Sequence, residues 1–269
     1  MRIVNLASGS KANSTFVSFE DTKILIDIGL SERQLLERLS EIGENLGNIS
    51  AVCITHEHID HIKSLKTIAK KYDCDFYLHE KLADSLSIKE IVFKAGKLHK
   101  FCGKKFNIGK LEILPFDVSH DAIAPVGFTI NVQGSSSKFG IVTDTGVVSE
   151  NMKNSLSGSK IVFIESNYDE LMLKNGGYPF SLKQRILSEK GHLSNQQSLD
   201  FAKYLFDNGT KCFVLSHISE NNNTIEKAFF MYADYFKNRG LELDKDVFIR
   251  LSYQGKHGNN FSLNEDFNG

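Results

Sequence analysis

The sequence predicts an α/β (α+β) protein built as a four-layer αββα sandwich, two sheets face to face with helices outside. Three observations carry this prediction. Strand-length apolar runs recur in two groups, each interspersed with or followed by stretches of helical periodicity. No linker divides the groups, because Gly134-Ser135-Ser136-Ser137 has only the length of a hairpin turn. Hydrophobic residues make up 41 % of the 269, enough for a substantial core, and 3 prolines leave little room for disordered linkers. A single domain over residues 1–269, without internal repeats, is the expected organisation.

The elements follow in order. Strand-like runs at 3–7, 15–19 and 23–27 open the chain, and 51–55 and 76–79 complete the first group. A second meander covers 111–118, 127–132 and 139–143, followed by single strands at 161–166, 212–216 and 247–251. Apolar residues at helical spacing mark 31–42, 60–71, 180–189, 195–207 and 224–238, with Ser194 or Asn195 suited to cap the fourth.

Charge and cysteine usage exclude several classes. The net charge of −1 gives no global attraction for nucleic acid. Lys89, Lys94, Lys97, Lys100, Lys104, Lys105 and Lys110, set against Glu90, form a local basic strip that reads either as a solvated face or as a phosphate-contact surface. No apolar run approaches the ~20 residues of a membrane span. The N-terminus enters a strand pattern without a secretory signal. Cys53, Cys74, Cys102 and Cys212 contain no CxxC pair and read as buried, reduced thiols of a cytoplasmic protein.

His56-Glu57-His58-Ile59-Asp60-His61 is the densest chemical signal. It directly follows the apolar run Ala51-Val52-Cys53-Ile54, so it lies where a strand ends and a loop begins, the usual place for chemistry in α/β folds. Neutral imidazole and carboxylate suit a divalent metal such as zinc, manganese or iron. His56 and His58 are two apart, so an extended backbone sends both to one face. Asp60 and His61 open the next helical stretch and point elsewhere. One segment can therefore serve two metals. His120, Asp144 and His217 each follow an apolar run as well. Strands of one sheet bring such ends together, which makes these three candidates for the same site.

The pattern His56-x-His58-x-Asp60-His61, with His120, Asp144 and His217, resembles the metallo-β-lactamase superfamily. Ser8-Gly9-Ser10-Lys11-Ala12-Asn13, Thr143-Asp144-Thr145-Gly146, Glu165-Ser166-Asn167-Tyr168-Asp169, Gly177-Tyr178-Pro179 and Gly191-His192-Leu193-Ser194-Asn195 resemble its YycJ (WalJ) subfamily. The resemblance implies His56, His58 and His120 on one metal, Asp60, His61 and His217 on the other, and Asp144 bridging. It implies Asp27 as a support behind the ligands and His192 against the scissile phosphate. It also implies the fold without the large inserted domain of related nucleases.

The expected activity is that of a metal-dependent phosphodiesterase, a nuclease cleaving DNA from an end through a hydroxide activated by two divalent ions, zinc or manganese. Asp60 would orient the nucleophile, and a protonated His192 would add a hydrogen bond to the phosphate or protonate the leaving oxygen. Ser8, Asn13, Asn167 and Tyr168 lie on loops at the expected sheet edge and are candidate substrate contacts; Lys183 and Arg185 are candidates for flanking phosphates. The ligand set equally admits a small-molecule hydrolase, a lactonase or a glyoxalase-II-like thioesterase, and a metal-stabilised nucleic-acid binding module is a third reading.

Overall fold

A computed structural model describes residues 1–263; the last six positions of the expected 1–269 domain lie outside the described residues. The strands are β1 (Arg2–Ala7), β2 (Ser14–Phe19), β3 (Thr22–Ile26), β4 (Ala51–Cys53), β5 (Asp75–His79), β6 (Leu98–Phe101), β7 (Phe106–Ile108), β8 (Leu111–Asp117), β9 (Val126–Val132), β10 (Lys138–Val142), β11 (Ser159–Glu165), β12 (Cys212–Ser216), β13 (Phe248–Leu251) and β14 (Asn260–Ser262). One sheet has the order β14-β1-β2-β3-β4-β5-β6 and the other β13-β12-β11-β10-β9-β8-β7. Each begins as an antiparallel meander and continues in parallel, from β3 to β6 and from β10 to β13. The expected sandwich of two mixed sheets between helices is the observed architecture.

Alternation along the strands explains the layers. Ile24 and Ile26 face the other sheet, where they join Val17, Cys53, Ile113, Phe128, Ile141, Phe163 and Val214 in the central core. Leu25, between them, packs outward with Phe16, Val52 and the helical Leu35, Leu39, Leu65 and Ile68. Val162 and Ile164 likewise turn outward onto Leu199, Ala202, Tyr232 and Phe236. Strands covered on both faces have to be apolar throughout, which is why they are legible as continuous runs.

The helices are α1 (Glu32–Glu41), α2 (Ile59–Ile62), α3 (Leu65–Lys71), α4 (Glu80–Ala83), α5 (Leu86–Lys89), α6 (Glu150–Leu156), α7 (Glu170–Asn175), α8 (Phe180–Leu187), α9 (Asn195–Asp207) and α10 (Ile225–Asn238). Ser31 and Ser194 head α1 and α9 in capping boxes with Gln34 and Gln197. The expected helix over 60–71 is broken in two. Ser64 donates both its N–H (3.1 Å) and its hydroxyl (2.9 Å) to Ile28 O, and Ile28 N–H takes the His61 carbonyl (2.8 Å). These bonds to the segment after β3 divert the backbone groups that a continuous helix would use. Several short elements, β6, β7, β14 and α4 to α7, have no counterpart among the sequence-predicted runs. Cys53, Cys74 and Cys212 are buried thiols as expected; Cys102 is exposed, since it lies just beyond edge strand β6. No helix among the described residues is long and apolar enough to cross a membrane.

Candidate metal centre

The site lies at the ends of strands from both sheets. Asp27 directly follows β3, His56 lies three residues beyond β4, Asp144 two beyond β10, and His217 directly follows β12. Asp27, Asp144 and His217 all adopt left-handed backbone, with φ of 60°, 57° and 54°. That conformation costs an L-residue about 1 kcal/mol or more. It turns each chain sharply out of its strand and leaves the side chain at the sheet edge.

Two groups of ligand atoms result. Those of His56, His58 and His120 lie within 4.8 Å of one another, and so do those of Asp60, His61 and His217. Asp144 stands between them, with Oδ2 3.2 Å from His61 Nε2 and Oδ1 3.8 Å from His120 Nε2 and 3.5 Å from His217 Nδ1. The sequence-predicted ligands are thus brought together, and Asp27, Asn13 and Glu165 brace them from behind. Asp27 Oδ2 lies 2.7 Å from His61 Nδ1 and also accepts the Thr55 hydroxyl, while Oδ1 accepts Thr55 N–H. His120 Nδ1 donates to Gly191 O at 3.1 Å, which leaves Nε2 as its candidate ligand atom.

Glu165, at the end of β11, is the functional residue that sequence reasoning did not single out. It is fully buried. Oε1 accepts from His192 Nδ1 (2.9 Å) and His217 Nδ1 (2.8 Å), and Oε2 from the backbone of Thr145 (3.0 Å) and Leu193 (3.2 Å). Its signal was the one that marked Asp144 and His217, a polar residue closing an apolar run.

The donor set fits divalent cations. Among the described residues, His56 Nε2, Asp144 Oδ2 and His217 Nε2 are buried without a hydrogen-bond partner; Asp144 Oδ2 is near His61 Nε2 but lacks hydrogen-bond geometry. Burying such atoms unsatisfied costs about 1–3 kcal/mol each, which a coordinated cation removes. His58 Nδ1 and His120 Nε2 also face each other at 3.2 Å. Burial, reinforced at His56 by His61, holds the pKa of His56 well below the ordinary histidine value; burial likewise lowers that of His120. Both favour the neutral, ligating imidazole. Burial opposes charge on His217 too, but Asp144 and Glu165 outweigh it and raise its pKa to about 9. The Asp144 carboxyl, despite burial, is held well below its usual range by His217 and His61. Without a cation, protons on His61 and His217 therefore balance the carboxylates.

A cavity of about 190 Å³ opens onto these groups, lined by His58, Asp60, His120, Asp144, His192 and His217 together with Ser10, Asn167, Tyr178 and Arg185. Of the six expected substrate contacts, only Asn167 and Arg185 line it. Ser8 instead lines a neighbouring groove, where its hydroxyl accepts His217 N–H at 2.8 Å. Asn13 is buried and donates to Asp60 Oδ2 at 3.0 Å, so it braces a ligand. Tyr168 is buried against Leu173 and Ile186. Lys183 donates to Lys174 O at 2.8 Å and lines a separate groove with Tyr168. Helical geometry explains this last result: Leu182, Arg185 and Ile186 share the face of α8 toward the cavity, which turns Lys183 away. None of the basic-strip lysines lines the cavity, and Lys97, Lys100, Lys105 and Lys110 are paired with carboxylates.

Comparison with known proteins agrees with this arrangement. The family model of the β-lactamase superfamily domain matches residues 22–218. The exodeoxyribonuclease WalJ of Streptococcus pneumoniae serotype 2 (strain D39 / NCTC 7466) is 37 % identical over 244 residues, 90 % of each chain. The exodeoxyribonuclease YycJ of Bacillus anthracis is 33 % identical over 243 residues, 87 % of this chain and 89 % of that one. Among solved structures, the metallo-β-lactamase-fold protein YhfI of Bacillus subtilis superposes with a TM-score of 0.70 at 15 % identity, covering 97 % of this chain and 98 % of that one. On sheet order, ligand-bearing strand ends and sequence kinship together, the chain belongs to the metallo-β-lactamase-fold superfamily and to the WalJ/YycJ group within it.

Proposed function

We propose that this protein is a metal-dependent phosphodiesterase, an exonuclease that hydrolyses DNA. The observation that carries the reading is the convergence of buried, unpartnered ligand atoms on one cavity that His192 also lines. Kinship with two exodeoxyribonucleases supplies the substrate class. His56, His58 and His120 would hold one divalent ion, Asp60, His61 and His217 the other, and Asp144 would serve both. Zinc or manganese suits this set of imidazoles and carboxylates without thiolate. Such ions, when bound, supply Lewis acidity and lower the pKa of a water toward ~7.

The chain's own residues do the rest. Asn13 holds Asp60 Oδ2 from behind at 3.0 Å, fixing the carboxylate that accepts a hydrogen bond from the attacking water. Glu165 accepts a hydrogen bond from His192 Nδ1–H at 2.9 Å, and its carboxylate offsets the charge of the imidazolium form, which delivers its Nε2 proton to the leaving oxygen. Asn167, anchored by its amide to His217 O at 2.8 Å, and Arg185 contact the substrate. Residues 1–269 act as one domain without an insertion. Four free cysteines suit a reducing, cytoplasmic setting.

The test is to incubate 5′- and 3′-labelled single- and double-stranded DNA and RNA with the wild type and Asp144→Ala, across Mn²⁺ and Zn²⁺, beside a lactone and a thioester. DNA should shorten from one end with the wild type and stay intact with the variant. Turnover of the thioester or lactone alone would replace the nuclease reading with a small-molecule hydrolase.

A further inference from the structure

We propose that Asp121 is a positioning residue that presents the Arg185 guanidinium to a phosphate adjacent to the scissile one. This rests on the nuclease reading above. Arg185 Nε donates to Asp121 Oδ2 at 2.5 Å and Nη2 donates to Oδ1 at 2.9 Å. A guanidinium carries five N–H donors in a rigid fork. The bond pair to Asp121 occupies the Nε side, and among the described residues the side chain donates to nothing else. The end-on edge, one N–H of Nη1 beside the second N–H of Nη2, is left over, on a residue that lines the cavity with His58, Asp144 and His192. Two parallel N–H groups on that edge match the spacing of phosphate oxygens.

Asp121 is itself fixed. It sits in the loop between β8 and β9, which is tied on both sides of it. His120 Nδ1 donates to Gly191 O, and Ile123 N–H donates to the Glu57 carboxylate at 2.9 and 3.1 Å. The loop thus links the ligand segment at 56–61 to the chain following α8, and Asp121 cannot follow a swinging arginine. Stability does not explain the pair, because the two side chains are 46 % and 34 % exposed and ion pairs this open contribute little. Rigid placement of a long side chain at a cavity mouth is what the geometry provides.

A metal-ligand role for Asp121 makes a different prediction from a positioning role. Its Oδ1 lies 3.4 Å from His120 Nε2 and 4.0 Å from His58 Nε2. The experiment therefore uses two substrates on the metal-loaded protein: a labelled DNA oligonucleotide, and bis-p-nitrophenyl phosphate, which has no neighbouring phosphate. Arg185→Ala, Arg185→Lys and Asp121→Asn are compared with wild type, with metal content and melting temperature measured for each. For the oligonucleotide, Arg185→Ala and Asp121→Asn should raise KM about tenfold or more with kcat within about twofold. The slope of log(kcat/KM) against log[salt] should shallow by about 0.7, one lost phosphate contact on a single strand. Arg185→Lys should recover part of the loss, bis-p-nitrophenyl phosphate turnover should fall several-fold less than oligonucleotide cleavage in every variant, and metal content should match wild type. Equal losses on both substrates, or lost metal in Asp121→Asn, would overturn the positioning role. So would oligonucleotide kinetics and a salt slope that do not move. Wild type that cleaves only the small diester would instead remove the nuclease reading, and the clamp with it.

Discussion

Glu165 concentrates the consequences of burial in one carboxylate. It holds two histidines on opposite duties, His217 among the candidate ligands and His192 above them, through the same oxygen. Burial by itself would raise its pKa, but His192 and His217 bring it down to about 2, against an ordinary value of 4.5. A pKa depressed on folding contributes stability that is present above the unfolded value and lost as pH falls through the folded one. In the metal-free protein this contribution fades between pH 4.5 and about 2. Glu165→Gln should remove it: the variant is less stable at neutral pH, and its stability falls less steeply over that window, by up to one proton's worth of slope. Denaturant titrations from pH 2 to 7 read this directly, and parallel acid limbs in the two proteins would contradict it. At this scale the sequence disclosed residues whose type and position are both informative, such as His56, His58, Asp60 and His61. It misjudged Asn13 and Tyr168, because whether a loop residue faces a cavity or the packing behind it depends on contacts with distant segments.

The elements show how tightly those segments are held. Asp60 sits in α2, a single turn whose carbonyl is taken by Asn13 N–H at 2.8 Å, while Gly29 N–H takes Asn13 O at 2.9 Å. A Cβ added to Gly29 would lie 1.5 Å from Asp60 O, so this close approach of three loops admits no side chain there. Gly29→Ala should displace α2, lower stability by about 1–3 kcal/mol or more and weaken metal retention. Thermal melting and elemental analysis check this, and wild-type metal content in a folded variant would refute it. The broken helix over 59–71 has the same origin. Its apolar spacing was legible, but the bonds from Ser64 to Ile28 O join residues 36 apart in sequence, and periodicity carries no trace of them.

For the molecule as a whole, the two sheets were legible because long-range packing imprints itself on the inner strands, which are covered on both faces and have to be apolar throughout. The edges at β6 and β7 were not, since both strands are short and half-exposed, and β6 carries Lys100, as unpaired edges often do. The three packed clusters that hold the layers together do not include the candidate ligands. Chelation should therefore lower the melting temperature without abolishing a cooperative transition, because a cation that binds only the folded chain adds stability by mass action. Calorimetry with EDTA, then with Zn²⁺ or Mn²⁺ restored, should show a reversible shift. Loss of cooperativity on chelation would mean instead that the fold depends on the centre.

The left-handed turns at Asp27, Asp144 and His217 set a boundary on how far this chain can be improved. Glycine would relax the backbone at all three by about 1 kcal/mol each, at the cost of the buried hydrogen bonds that Asp27 makes to Thr55 and His217 to Glu165. Each such exchange removes a candidate ligand or the carboxylate behind one. Backbone ease and the hydrolytic centre are thus opposed at the same three positions, and lineages that keep the centre are expected to gain robustness elsewhere in the sandwich.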